Sequence, residues 1–182
     1  MPFSIPTLRF VLTGLLAALL CSSCSARPTW EDTFAKIARN FPDTPNLSTS
    51  ELAARIADTT RPQPVLLDVR GLAEYEISHL QHARQVSPSA KIADLKLPRD
   101  AAIVAYCSVG YRSSNFVQRL RTAGYTNAHN LHGSLFTWAN EGRPIYSGAA
   151  VSSNSPMSAP VVHPYNAHWG LLLKPEFRLS SK

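Results

Sequence analysis

Apolar and polar positions follow two different periods along the chain. Residues 29–41, TWEDTFAKIARNF, space Trp30, Phe34, Ile37 and Phe41 three or four apart, with Glu31 and Asp32 in the opening turn. That spacing predicts a short amphipathic helix. PDTPNLS then reads as a linker, and STSELAARIADT as a second helix capped by Ser48 or Thr49, with Glu51 in the capping-box position. PVLLDVR and AAIVAYC are apolar without a break, as strands buried on both faces of a parallel sheet are. Between them AEYEISHL predicts a short helix or turn, and ARQVS a brief strand around Val86. SSNFVQRLRTAGY returns to helical spacing, with Phe116, Val117, Leu120 and Ala123 on one side and Gly124 at its end. AHNL is a third strand candidate, and SLFTWANEG a last helix ended by Gly142. Strands alternating with helices over residues 47–146 predict an α/β domain with a mostly parallel sheet.

The flanks have another character. After Ser147, SGAAVSSNSPMSAP is small and polar, a linker, and VVHPYNAHWGLLL brings back aromatic and apolar residues expected to dock on the domain. At the other end, Arg9 precedes an apolar run from Phe10 to Leu20 and then small residues, the layout of a secretory signal with cleavage after Ala26. The run is too short for a bilayer span, which takes roughly twenty residues. Cys21 and Cys24 sit at its end, outside any folded surrounding that zinc or redox chemistry would need. Cys24, after Ser23, is the better lipoprotein attachment site. The expected division is 1–26 signal, 27–46 N-terminal helix and linker, 47–146 the α/β domain, and 147–182 linker and docking tail. Such a chain is exported, and is periplasmic or held to the membrane from outside by a lipid.

Composition narrows the function. Of 182 residues 45% are hydrophobic, enough for a real core, and the net charge of +6 is spread without a run of Lys or Arg. That argues against a nucleic-acid arm, while a mild positive field helps gather small anions. With the leader removed, Cys107 is the one mature thiol, or one of two if Cys24 is kept. No intramolecular disulfide is then available, and a free thiol in an oxidising compartment is hard to maintain unless it is used.

That thiol ends a strand in IVAYCSVGYRSS. In a parallel α/β sheet ligands sit beyond the carboxyl ends of the strands. The following helix points its unpaired N–H groups and positive dipole end back at the loop. Those groups and Arg112 favour the thiolate, and Gly110 permits the twist that lets successive amides converge on one centre. The plain alternative is a structural cysteine before an ordinary turn; Gly110 and Arg112 at this spacing count against it.

YCSVGYRS resembles the active-site loop of rhodanese-domain sulfurtransferases. In the same order, LLDVRGLAEYEISHL resembles the strand and acidic segment that open that domain, and LHGSLFTWANEGRPI its closing segment. The resemblance implies a three-layer fold with a central, mostly parallel sheet of about five strands flanked by helices. It implies that Cys107 accepts a sulfane sulfur from a small anionic donor such as thiosulfate, becomes a persulfide, and passes the sulfur to a thiol or cyanide. Arg112 would then hold the donor's anionic oxygens. The amides of Ser108, Val109, Gly110, Tyr111 and Ser113 would stabilise thiolate and persulfide, with hydroxyl bonds from Ser108 and Ser113. No metal or organic cofactor is implied. Phosphatases of related fold carry one more residue between Cys and Arg, a wider cradle than the four here. A protein partner remains a second expectation, with the chain as a persulfide carrier or sensor. Ser108 stands where many members have a basic residue, so modest turnover with thiosulfate is expected. SHLQHA departs from the family's usual Gly-His-Ile-Pro-Gly-Ala at Ser78, Gln81 and His82. Asp68 and Arg70 read as a strand-end ion pair, Glu74 as an arginine partner. His79, His82, His129 and His132 read as surface or capping residues rather than ligands.

Overall fold

The computed structural model describes Met1 and residues 27–148 and 161–179. The leader, with Cys21 and Cys24, and most of the 147–160 linker lie outside the described residues. Helix α1 spans Trp30–Asn40, strand β1 Asn46–Leu47, α2 Thr49–Ala57, β2 Val65–Asp68, α3 Leu72–Ile77, β3 Arg84–Gln85 and β4 Ile103–Tyr106. Helix α4 spans Tyr111–Thr122, β5 Ala128–Leu131, α5 Ser134–Asn140 and the short α6 Ala167–Gly170. Single 3-10 turns occupy Ile92–Leu95 and Pro175–Phe177.

The five strands form one parallel sheet in the order β1-β5-β4-β2-β3, with Val65 to Asp68 in register with Ile103 to Tyr106. Strand β4 is central, so its side chains are buried in both directions. Leu66, Val104 and Tyr106 face one core with Leu52, Leu135 and Phe136; Leu67, Ile103 and Ala105 face the other with Phe116, Val117 and Leu120. This two-sided burial is the reason for the unbroken apolar runs.

The reading of PDTPNLS as linker needs correction. Asn46 and Leu47 add an edge strand beside β5, pairing with Asn130 and Leu131. Two residues are too few to display a period. The helix caps follow the sequence: Ser48 Oγ accepts from the Glu51 amide at 3.2 Å, and Glu51 Oε2 accepts from the Ser48 amide at 2.8 Å. Helix α4 begins at Tyr111, two residues ahead of the expected start.

Both flanks pack on the domain. In α1, Ile37 is buried and Phe34 stacks on His132 at 3.9 Å. The C-terminal segment places Val162, Leu172, Leu173 and Phe177 in the same core cluster as Val104 and Phe136. Asn140 pins it on two sides, donating to Leu172 O and accepting from the Lys174 amide, both at 2.8 Å.

Candidate active site

The site lies at the carboxyl end of β4, where Cys107 opens the turn into α4. The carbonyls of this turn are drawn outward: Leu135 and Phe136 at the start of α5 donate to Cys107 O at 3.2 Å and Ser108 O at 3.0 Å. The Cys107 amide donates to Ser134 Oγ at 3.2 Å. Amides further along are left to turn inward, and Gly110 N donates to Cys107 Sγ at 3.2 Å. Gly110 has φ +112, and a Cβ there would come within 3.4 Å of Ile37 Cδ1 and 3.5 Å of Asn130 Nδ2. Glycine is therefore needed for the conformation, while a Cβ would only come into van der Waals contact with α1. Ser113 Oγ lies 3.5 Å from the sulfur on its other side.

Burial pushes the Cys107 thiol up, but the Arg112 charge, the Ser113 hydroxyl and amide, and the Gly110 amide outweigh it. The net result is a thiol held below its ordinary value.

Arg112 is paired within the protein. Its Nη1 and Nη2 donate to Glu74 Oε2 at 2.8 Å and Oε1 at 2.7 Å, and Nη2 also to Ser108 Oγ at 3.0 Å. Ser108 Oγ in turn donates to Glu74 Oε1 at 3.2 Å, and Glu74 accepts from the Gly71 amide at 3.0 Å. Glu74 and Ser108 thus take three of the five N–H groups of Arg112, and its expected grip on a donor's oxygens would be made alongside this pairing. Burial pushes the Glu74 carboxyl up, but its bonds to Arg112 and Gly71 hold it below the usual range, so the pair stays ionised. The sequence presents Glu74 only as some arginine's partner, and its place on α3 is what sets it against Arg112.

Two site residues escaped sequence reading. Ser113 Oγ donates to Asn130 Oδ1 at 2.6 Å, and Asn130 Nδ2 donates to Asn46 Oδ1 at 2.8 Å. Asn130 is buried on β5, and Ser134 is the hydroxyl that receives the Cys107 amide. The available signal was Asn130 itself, a polar residue near the carboxyl end of a buried parallel strand. Asp68 and Arg70 form a wholly buried ion pair, 2.6 Å between Oδ2 and Nη2, at the end of β2. His79 stacks on Tyr75 at 4.1 Å.

Cys107 is only 1% exposed, but it borders an open space. It lines a cavity of about 210 Å³ together with Ser108, Val109, Tyr111 and Arg112 of the loop, Lys36 of α1, and Tyr165 and Trp169 of the C-terminal segment. A nucleophile held in a ring of donors, with an open space in front of it, can attack an electrophilic sulfur and store the product anion.

Comparison with known proteins agrees with this geometry. Residues 48–141 match the family described as Rhodanese-like domain. A protein of Allochromatium vinosum named Sulfurtransferase is 32% identical over 100 residues, covering 54% of this chain and 92% of the relative. The probable adenylyltransferase/sulfurtransferase MoeZ of Mycobacterium tuberculosis is 35% identical over 83 residues, 43% of this chain but only 21% of that protein. Among solved structures, a thiosulfate sulfurtransferase from Pseudomonas aeruginosa shares the fold with a TM-score of 0.55 at 24% identity, covering 65% of this chain and 23% of that one. The family's span takes in the sheet from β2 to β5, the Cys107 turn and Glu74, so the chain belongs to the Rhodanese-like domain family.

Proposed function

We propose that the chain moves a sulfane sulfur from a small anionic donor, thiosulfate being the simplest, to a thiol or cyanide acceptor through a persulfide on Cys107. The observation that carries this reading is Cys107, its sulfur bonded by the Gly110 amide at 3.2 Å inside the turn and the residue lining the cavity. The Cys107 thiolate attacks the outer sulfur of thiosulfate. A bond forms from Sγ to that sulfur, the sulfur–sulfur bond of the donor breaks, and its electron pair leaves with sulfite. The outer sulfur, now a persulfide anion, takes over the inward amides, which need no rearrangement to receive it. Arg112 acts in this reading as a fixed charge beside the sulfur, and Glu74 as the residue that fixes it.

A filled fork on Arg112 also weighs against phosphoryl chemistry, where a free guanidinium would be needed for the transferred group. The decisive experiment mixes purified protein with thiosulfate and cyanide and follows thiocyanate, with Cys107→Ser as control. Release that depends on Cys107 supports the reading. Sulfur loading at an unchanged rate in the serine variant would sink it. A persulfide that forms but discharges only onto a second protein points instead to a carrier. The reading extends to location: the apolar segment before residue 27 exports the chain, with lipid on Cys24 as its membrane contact. Intact mass of protein from its own cells tests both.

A further inference from the structure

Three of the side chains around the Cys107 cavity come from outside the family's span of 48–141: Lys36, Tyr165 and Trp169. Lys36 is one residue before the buried Ile37. Tyr165 takes φ +64, unusual for an aromatic residue, and its ring lies 4.6 Å from the Arg112 guanidinium. Trp169 is fixed by α6, whose Asn166 cap accepts from the Trp169 amide at 2.9 Å. A Cβ on the next residue, Gly170, would fall 2.7 Å from Pro164 Cβ, so α6 is pressed directly onto the chain that carries Tyr165.

Charge and size then limit the ligand. The guanidinium of Arg112 is closed by Glu74, whereas Lys36 has no ion-pair partner among the described residues and lies 5.5 Å from the Tyr111 ring. Lys36 is thus the cation at this cavity that a ligand can meet unpaired. At roughly 30 Å³ per water the 210 Å³ of the cavity hold about seven waters' worth of ligand, more than an oxyanion the size of sulfite fills. The surplus space is lined by aromatic rings. A ligand that uses it has an apolar body between the sulfur end and an anionic end.

Resting on the persulfide reading above, we propose that the acceptor is a small thiol with an anionic group on a short aliphatic body, recognised by Lys36 against Tyr165 and Trp169. The acceptor's thiolate forms a bond to the outer sulfur of the Cys107 persulfide. The Sγ–S bond breaks, its electron pair stays on Sγ, and the outer sulfur keeps its negative charge as it leaves with the acceptor, so no proton moves. The products are a new small-molecule persulfide and the Cys107 thiolate, with no net oxidation.

The test isolates this second step. Protein is loaded with thiosulfate, freed of donor, and mixed with 3-mercaptopropionate or cysteamine, which differ in the charge of the far group. Taking the ratio of the two discharge rates, variant over wild type, cancels the thiols' own reactivity. Lys36→Glu is expected to lower the anionic-to-cationic ratio by about tenfold and Lys36→Gln by about threefold, the scale of partly exposed charge pairs. Trp169→Ala is expected to slow both thiols relative to cyanide. A loaded Lys36→Glu protein whose ratio stays within about twofold of wild type overturns the acceptor site alone. A wild-type chain that takes up no sulfur overturns the persulfide reading itself, and this inference with it.

Discussion

Glu74 closes the guanidinium fork of Arg112 with both carboxylate oxygens, at 2.8 and 2.7 Å, while the charge of that same arginine draws Cys107 toward its thiolate. The two effects oppose each other. An arginine neutralised at contact distance by a carboxylate has less field to offer the sulfur, but it cannot swing away. The site gives up some electrostatic strength for a cation fixed in place.

This balance sets the pH dependence. A thiol lowered from its ordinary value is reactive above its own pKa, and loading is lost as pH falls through it. Arg112→Ala removes the cation and leaves Glu74 unpaired near the sulfur, so the acid limb moves up by on the order of one pH unit or more. Glu74→Gln releases the full Arg112 charge and moves it down. Rates of iodoacetamide alkylation against pH measure both; a limb that moves in neither variant would assign the thiolate to the amides alone.

Gly110 is predicted to be the least replaceable residue of the turn. At φ +112 alanine must strain the backbone, while Ile37 Cδ1, 3.4 Å from where a Cβ would sit, would only be in ordinary contact with it. Gly110→Ala should cost about 1–3 kcal/mol of stability and tilt its amide off the sulfur. Loading measured on protein still fully folded should fall more than tenfold, in keeping with the loss of one pre-aimed donor, worth roughly 10²–10³ in acyl-transfer sites. Chemical denaturation and intact-mass loading assays separate the two losses.

How far the site could be read in advance depended on whether its signals were local. The apolar runs of β2 and β4, the Ser48–Glu51 cap and the turn from Cys107 to Arg112 are contiguous, and periodicity or spacing exposes them. Glu74 and Asn130 act on the sulfur from 33 and 23 positions away in sequence, since 107 − 74 = 33 and 130 − 107 = 23. Only the parallel order β5-β4-β2 brings their elements to one end of the sheet. The β1 strand was hidden for another reason: with two residues it owes its existence to the edge of β5. Tyr165 and Trp169 carried a docking signal in their apolar surroundings, but nothing in the sequence shows where on the domain they dock.

Ser113 offers a finer prediction, because a hydroxyl has one hydrogen to give. Its oxygen is 2.6 Å from Asn130 Oδ1 and 3.5 Å from Cys107 Sγ, so the stronger bond goes to the amide. Ser113→Ala should therefore shift the acid limb of alkylation less than Arg112→Ala does. Asn130→Ala frees the hydroxyl for the sulfur but loses the hydrogen bond to the exposed Asn46 side chain, costing about 0.5–1.5 kcal/mol. Its signature is lowered stability with an acid limb at or below that of wild type.

The buried pair of Asp68 and Arg70 supports the site from behind. Arg70 bonds both oxygens of Asp68, Nε at 2.9 and 3.1 Å and Nη2 at 2.6 Å, and also the carbonyl of Ser78. It thereby ties the end of β2 to the residue after α3, the helix that carries Glu74. Both side chains are fully buried, so removing one strands the other in a medium that solvates it poorly. Arg70→Met and Asp68→Leu should each cost about 3–5 kcal/mol, whereas the double variant should cost clearly less than their sum. A double-mutant cycle in urea gives the coupling. Because α3 holds Glu74, the single variants should also broaden the pH profile of Cys107 alkylation, and costs that simply add would show that Asp68 and Arg70 are neighbours without being partners.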